Sequence, residues 1–546
     1  MKYDQWDILN RYPGDPVSDI LKKRGVKNSA EFFSPDYCNL PNSSDFPGLK
    51  KAVELILGCR KNGESVGIFM DYDADGICGG SIIFKALEIL KIKAIPYIPK
   101  REEGYGLSIS AVDHFIETGV KLVICVDCGI RNNKEISHAK KNSLKTIVVD
   151  HHQLGDILPD ADALVHPLIS KNNKLKFREY SGGGVAYMLS RELLGQNGRE
   201  KWLLDLAAIS SIADVVPIRE ANRIIIKFGL LVLKKTKNKG LKKMIELSNI
   251  KLESIGTYEV GFMIAPRINA AGRVSNPRRS FELLTSDDPG LISEAAQDLE
   301  CLNKERQKIL EETQVEAVKK VQKEKLYQNK IIVLRGKGWN EGIVGLVASR
   351  IVEKFYRPTI VLSEKKDQIK GSARSISGVN IHELIGLSEK HLVSFGGHSQ
   401  AAGLSVKKDS YDRFVVDILK NASRLDDRLF TRSLKIDALL RPKQITFSLA
   451  EQLQKMEPFG PSNPRPVFSF EDVRVEGLRK IGKDQNHRRF SVCTGVDKKY
   501  CVAFKVEENS FDIVSGDTVD LAFTLKKSHW QEKEKIDLIV EDVKKK

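Results

Sequence analysis

Three short apolar runs in this chain each end in an aspartate. That repetition constrains the fold more than any other feature. Val66–Met70 leads into Asp71, Leu122–Val126 into Asp127, and residues 146–149 into Asp150. Continuous apolar runs of this length, bounded by turn and helix signals, read as buried parallel strands. In an open α/β sheet, ligands sit beyond the carboxyl ends of the strands. Several carboxylates, with the imidazoles of His151 and His152, should therefore converge on one crevice. Such a cluster is costly to bury unpaired, and divalent cations are the simplest way to offset it. Hard oxygen donors with a little imidazole suit Mn²⁺ or Mg²⁺ better than a thiolate-preferring metal.

The chain has 546 residues, room for about three to four domains of roughly 150 residues. Its 41% hydrophobic content supports ordinary cores and excludes a disordered chain. The net charge is +16 and the pI about 9.2. Lys and Arg are spread along the whole length, which favours a polyanionic partner, nucleic acid or an anionic membrane surface. The first residues are polar and acidic, unlike a signal peptide. No apolar run approaches the ~20 residues of a membrane span. Eight cysteines in so long a chain do not suggest a disulfide framework, so a reducing, cytoplasmic location is expected. Cys125 and Cys128 form a C-x-x-C around Asp127, but Cys125 lies inside an apolar run. No second C-x-x-C completes a tetrahedral metal site, so both read as buried strand-end residues.

Residues 1–60 read as an N-terminal adaptor. Between 64 and 225, strand-like runs alternate with helical patterns, the signature of βαβ units. A lysine-rich stretch from Lys227 to Lys243 reads as a solvated helix face. Residues 291–327 hold no Gly or Pro. Ala295, Leu299, Leu302, Ile309 and Leu310 recur there at helical spacing. A helix of ~36 residues would be ~55 Å long and should join two domains rather than sit inside one. A second α/β block begins at Ile331-Ile332-Val333-Leu334. Beyond Pro466, short strands separated by turns suit a small barrel of the oligonucleotide-binding type. The expected architecture is thus α/β: a parallel-sheet domain at 61–290, a connecting helix at 291–327, a second α/β domain at 328–425, a linker at 426–465 and a barrel at 466–546. Barrel aromatics that could stack on bases are Phe490, Tyr500, Phe504, Phe523 and Trp530. At least half of them are expected in the core.

Asp71, Asp73 and Asp75 alternate across a turn that closes on Gly76. A calcium loop fails on detail, because no glutamate closes a twelve-residue loop and the motif follows a strand. Asp127 and Asp150-His151-His152 raise the specificity, and Ser211-Ile212-Ala213-Asp214 adds a further carboxylate. Paired ions about 3.5–4 Å apart perform phosphoryl chemistry by clamping the attacking and leaving oxygens. That arrangement needs a bridging acid with separate ligands on each side.

The order Asp71-Tyr72-Asp73-Ala74-Asp75-Gly76, Val126-Asp127-Cys128-Gly129, Asp150-His151-His152, Ala213-Asp214-Val215-Val216-Pro217 resembles the DHH phosphoesterase superfamily. Within it, the chain is similar to the bacterial exonucleases specific for single-stranded DNA. The resemblance continues through Glu103-Gly104-Tyr105-Gly106, Arg267-Ile268-Asn269-Ala270-Ala271-Gly272-Arg273, Glu341-Gly342-Ile343-Val344-Gly345, Gly371-Ser372-Ala373-Arg374, Gly396-Gly397-His398 and Pro458-Phe459-Gly460-Pro461. It spans nearly the whole chain in the family's order.

The resemblance implies two divalent ions, Mn²⁺ or Mg²⁺, on Asp73, Asp75, Asp127, His151 and Asp214, with Asp127 as the bridge. It implies His152 at the scissile phosphate and Asp71 orienting the loop, which makes Asp71, Asp127 and His152 the catalytic set. Substrate would be held by Arg101, Tyr105, Asn269, Arg273, Arg350, Ser372, Arg374, Gly397 and His398. For Arg350, a helix-dipole partner is the competing reading. The second α/β block would be the DHH-associated domain, facing the first across a cleft too narrow for a duplex. The implied reaction is 5′-to-3′ removal of 5′-mononucleotides from single-stranded DNA, in recombination and repair. The implied partners are single-stranded DNA and a single-strand-binding protein or helicase, with no membrane and a monomeric chain. One departure stands out: the family's Trp-His-Glu-Gly is Trp339-Asn340-Glu341-Gly342 here, and Asn cannot transfer a proton. Two alternatives are a DHH phosphodiesterase of short oligoribonucleotides or cyclic dinucleotides, and a non-catalytic single-strand-binding scaffold. The barrel argues against the first and the intact acids against the second.

Overall fold

The computed structural model describes residues 2–169, 175–365, 368–494, 497–506, 512–530 and 533–546. The chain forms two compact units. One comprises Ser34–Lys308 with Pro458–Asn463, and the other Met1–Phe33, Ile309–Glu457 and Pro464–Lys546. The first strand, β1 (Gln5–Ile8), belongs to the latter.

The Ser34–Lys308 unit is built on β2 (Val66–Met70), β3 (Ala94–Tyr97), β4 (Leu122–Val126), β5 (Lys145–Val149) and β6 (Ala163–Val165), all parallel, in the order β3-β2-β4-β5-β6. Every residue of β2 and β4 is buried, as an unbroken apolar run demands when helices cover both faces. One face packs Ile56, Ile82, Val185 and Leu206 from four helices. The other packs Val112, Phe115 and Ile136 from two. Gly67 admits the second layer, since a Cβ there would lie 2.7 Å from the Phe115 ring. Because β3 and β4 flank β2 on opposite sides, the winding reverses between β2 and β4. Such a switch point opens a crevice at the strands' carboxyl ends, and Asp71 and Asp127 stand there.

The helix Pro289–Lys323 has 35 residues, about 52 Å at 1.5 Å per residue, and passes from one unit into the other. It stops short of Tyr327 because Lys325 is left-handed at φ 53°, a conformation that ends helices. The second unit then forms β7 (Ile332–Lys337), β8 (Thr359–Glu364), β9 (Ile369–Arg374), β10 (Leu392–Gly397) and β11 (Ala401–Val406). Their order is β10-β11-β9-β8-β7, with only β7 and β8 parallel.

The stretch 426–465, expected as a linker, instead carries β12 (Ser433–Ile436), β13 (Ala438–Leu439) and the helix Phe447–Lys455. β12 pairs with β1, and β13 adds in parallel to β14 (Phe468–Ile481). Ile436, Ala438 and Leu439 are fully buried, so burial of alternating apolar residues overrides the Pro- and Arg-rich surroundings. The barrel closes through β14, β15 (His487–Thr494), β16 (Asp497–Ala503), β18 (Lys533–Lys545) and β17 (Thr518–Trp530), which returns to β14. Phe490 and Phe523 are core residues there, while Tyr500 and Phe504 are exposed. The side chain of Trp530 lies outside the described residues. Among the described residues no helix is long and apolar enough to cross a membrane.

Candidate metal centre and phosphate-binding residues

The strand-end acids converge as parallel-sheet geometry requires. Three overlapping groups each bring ligand atoms within 4.8 Å of one another: Asp71, Asp73 and Asp127; Asp75, His151 and Asp214; and Asp127, Asp150, His151 and His152. Asp127 joins two of them, which suits a bridging position. It sits at φ 60°, a left-handed conformation that an aspartate tolerates better than most side chains. His151 spans the groups, with Nε2 at 3.1 Å from Asp127 Oδ1 and 3.6 Å from Asp75 Oδ2, and Nδ1 at 3.7 Å from Asp214 Oδ2.

The cluster is short of cations. Asp71 Oδ1 is buried without a hydrogen-bond partner among the described residues, and Asp127 Oδ1, which likewise makes no hydrogen bond, faces the His151 imidazole at 3.1 Å. Buried carboxylate oxygens are costly in that state. Burial, reinforced by neighbouring acids, pushes Asp71 and Asp127 far above the usual carboxylate range. Burial also raises Asp75 against the charge of His151. Asp214 is pushed up to about 8 by burial and by Asp75, with His151 opposing. The orphaned oxygens and oxygen-rich donors fit hard divalent ions.

In the metal-free fold these acids therefore bind protons more tightly than at the ordinary value of 3.8. A raised acid contributes stability at low pH and loses it as pH rises through the folded value. His151, opposed by burial but raised by Asp214, Asp75 and Asp150, adds in the same direction. The metal-free melting temperature should therefore fall between about pH 4 and 8, and divalent ions should flatten that slope. A metal-free melting temperature that rises between about pH 5 and 8 contradicts the assignment.

Three supports of this centre were given no role in the sequence reading. The helix Gly182–Leu193, capped by Ser181, aims its first N–H groups at Asp75: Gly182 and Gly183 donate to its two oxygens at 2.7 and 2.8 Å. Ser210 Oγ donates to the same carboxylate at 2.5 Å. The glycines are required, because a Cβ at Gly182 would lie 2.6 Å from Asp127 Oδ1 and one at Gly183 2.3 Å from Ser210 Oγ. Asp150 accepts from His152 Nδ1 at 2.7 Å and from the N–H groups of His151, His152 and Ile130. Burial opposes its ionisation, but these bonds and the two imidazoles hold Asp150 well below the usual range. The sequence signals were a Ser-Gly-Gly-Gly run at a helix start and an acid directly before two histidines.

The other expected residues fall as follows. Asp73 Oδ1 caps the helix Ala74–Ile89 by accepting from Asp75 and Gly76 N–H. Asn269 Oδ1 accepts from Ala74 N–H at 2.8 Å, so it braces the Asp73 turn. Tyr105 hydroxyl donates to the Asp127 carbonyl at 2.9 Å and lies within 3.2 Å of both His152 nitrogens. Arg101 lies over the Tyr72 ring, and its Nε is buried without a hydrogen-bond partner among the described residues. Arg273 is on the helix Ala265–Val274 with Asn269. Cys125 and Cys128 are buried free thiols.

In the second unit, β9 presents Ser372 and Arg374 over the first turn of the helix Val344–Phe355. A Cβ at Gly345 would lie 3.0 Å from Arg374 Nη2 and 3.3 Å from Ser372 Oγ. Guanidinium, hydroxyl and helix N-terminus are the donor types that suit an anion. β11 carries this register to β10: Ala401 faces Arg374, and Ala402 faces Gly397. Gly397, at φ 143°, admits no Cβ against the Ala401 carbonyl at 2.4 Å, and His398 follows it. Arg350 differs, since it is exposed and paired with Glu353 at 3.0 Å on its own helix. Asn340, in place of the family's histidine, accepts from Gly342 N–H at 2.7 Å and shapes the turn into that helix.

The chain matches the DHH family N-terminal domain over residues 65–211, the DHHA1 domain over 328–423 and the RecJ OB domain over 436–542. It is 35% identical over 537 residues to the single-stranded-DNA-specific exonuclease RecJ of Bacillus subtilis, covering 96% of this chain and 67% of that protein. Among solved structures it is similar to RecJ from Thermus thermophilus in complex with Mn²⁺, with a TM-score of 0.86 and 27% identity over 99% of this chain and 80% of that one. The Mg²⁺ complex of the same protein gives a TM-score of 0.79 and 26% identity over 99% and 78%. The chain belongs to the RecJ family of single-stranded-DNA-specific exonucleases, within the DHH superfamily.

Proposed function

We propose that this protein hydrolyses single-stranded DNA from the 5′ end and releases 5′-mononucleotides. The observation that carries the reading is the buried Asp127 carboxylate, whose Oδ1 makes no hydrogen bond, amid Asp71, Asp73, Asp75, Asp214 and His151. It stands at the strand ends of a chain of the RecJ family. Two divalent ions, Mn²⁺ or Mg²⁺, would be held by Asp73, Asp75, Asp127, His151 and Asp214, and would neutralise charge on the phosphodiester while raising the acidity of the attacking water.

The chain's own residues do the rest. Asp71, buried beside Asp73 and Asp127, orients the loop or the attacking water, and Asn269 braces the Asp73 turn. His152, fixed by Asp150 through Nδ1, directs its ring toward a phosphoryl oxygen, and the Tyr105 hydroxyl steadies that ring. Arg101 and Arg273 neutralise backbone phosphates. Ser372, Arg374, Gly397 and His398 receive the 5′-phosphate and thereby set the polarity. The barrel, with exposed Tyr500 and Phe504 on a chain of net charge +16, holds the trailing strand. The working partner is single-stranded DNA, delivered by a helicase or a single-strand-binding protein to a cytoplasmic monomer that acts in recombination and repair.

The phosphodiesterase alternative gives way because the family match extends through the barrel, and the scaffold alternative because the acid cluster is intact. End-labelled single-stranded and duplex oligonucleotides, incubated with each metal, test the reading. Mononucleotides from 5′-phosphorylated single strands are expected. Equal digestion of blunt duplex, or products longer than a nucleotide, would overturn it.

A further inference from the structure

On the turn that packs against the helix ending at Asp214, the first unit exposes two large aromatic rings. Tyr258 is 62% and Phe262 71% exposed. Their rings lie against each other in a tilted arrangement, with centroids 5.0 Å apart and planes at 32°. They lie on the turn from Thr257 to Ile264, whose last five residues are a π-helix. Such wide turns recur at functional sites. The segment's inward face is already satisfied, since Val260 and Ile264 are fully buried. The aromatic pair is therefore surplus to the core.

The platform is fixed rather than loose. Gly256 N–H donates to Glu259 Oε2 at 2.8 Å, Thr257 Oγ1 donates to the Phe459 carbonyl at 2.9 Å, and Arg267 donates to the Met263 carbonyl at 2.8 Å. It also adjoins the helix that leads to Asp214. A Cβ at Gly261 would lie 3.6 Å from Ile212 Cγ2, so the turn packs against the helix Leu204–Ala213, which Asp214 terminates. Val215, the next residue, is 65% exposed at φ 59°. A strand whose phosphates approach Asp214 thus meets apolar surface on that side.

We infer that Tyr258 and Phe262 form a base-stacking platform that takes one or two nucleobases of the single-stranded substrate beside the metal centre. Every base has a π-face, so such a platform grips a strand without reading its sequence. It also rejects paired bases, whose faces are already stacked. The inference rests on the single-strand reading above.

The test uses the full-length protein and 5′-phosphorylated oligodeoxynucleotides carrying 2-aminopurine at successive positions, with EDTA present to keep the strand intact. Wild type is expected to change the fluorescence at one or two adjacent positions. The double variant Tyr258→Leu/Phe262→Leu should lose that change and bind roughly five- to a hundred-fold more weakly. Its KM should rise while kcat at saturation stays within about twofold. Tyr258→Phe should behave as wild type, because it keeps the ring. Phe262→Leu alone, at the more exposed position, gives the same readout if the double variant folds poorly. A folded leucine variant with unchanged fluorescence and affinity overturns the platform and leaves the rings to a protein partner. Failure of wild type to bind or cut single strands would instead remove the functional reading itself.

Discussion

Replacing Asp127 with alanine is expected to lower nuclease activity by at least three orders of magnitude, on the order of what losing a shared ligand of two ions costs. The same change should leave single-strand binding largely intact. The structure supplies a control against simple misfolding. Asp127 is buried, carries an orphaned oxygen and is crowded by Asp71, Asp73, Asp75 and Asp214. Removing it relieves the metal-free protein of a buried, crowded carboxyl group. Alanine at φ 60° is strained by about 1 kcal/mol, which offsets part of that relief. The metal-free melting temperature should therefore change little, while the rise in melting temperature on adding Mn²⁺ should shrink. A variant that keeps more than about a tenth of wild-type rate, or an undiminished Mn²⁺-induced rise, would show that Asp127 is not the bridge.

The second large effect concerns Arg374. Burial lowers the pKa of its guanidinium but leaves it cationic at neutral pH. Its Nη1 donates to the Ala373 carbonyl at 2.8 Å, and its Nη2 lies over Gly345 beside the Ser372 hydroxyl. Removing a charge-assisted partner costs about 1.5–3 kcal/mol, roughly ten- to a hundred-fold. Arg374→Ala should lose that factor on 5′-phosphorylated strands and much less on 5′-hydroxyl strands. Equal losses on both substrates would place the phosphate pocket elsewhere.

Arg350 and Asn269 show how a motif can be present and its geometry still undecided. Arg350 pairs with Glu353 three residues along its helix, a local contact that sequence spacing already allowed. Asn269 reaches back to Ala74, 195 positions away, and no spacing rule anticipates that. The linker reading of 426–465 failed for a related reason. Strands of two and four residues carry almost no periodic signal, yet β13 is held by pairing with β14.

By itself the sequence determined that β2, β4 and β5 would be buried parallel strands ending in acids. A run of apolar residues bounded by turns has few other stable fates, and parallel strands deliver their termini to one edge. It also determined the long helix, because the periodicity of about 3.6 residues is a property of neighbours along the chain. Only the tertiary structure decided how each acid is held. Asp75 is gripped by Gly182 and Gly183, 107 and 108 residues away, and by Ser210, 135 away. Asp150, which also stands in one of the ligand groups, became the anchor of His152 because Ile130 N–H and the imidazole reached it together. Local pattern reports the period of a segment. Which donor meets which carboxylate depends on how separate helices pack against the sheet, and close packing settles that within tenths of an ångström.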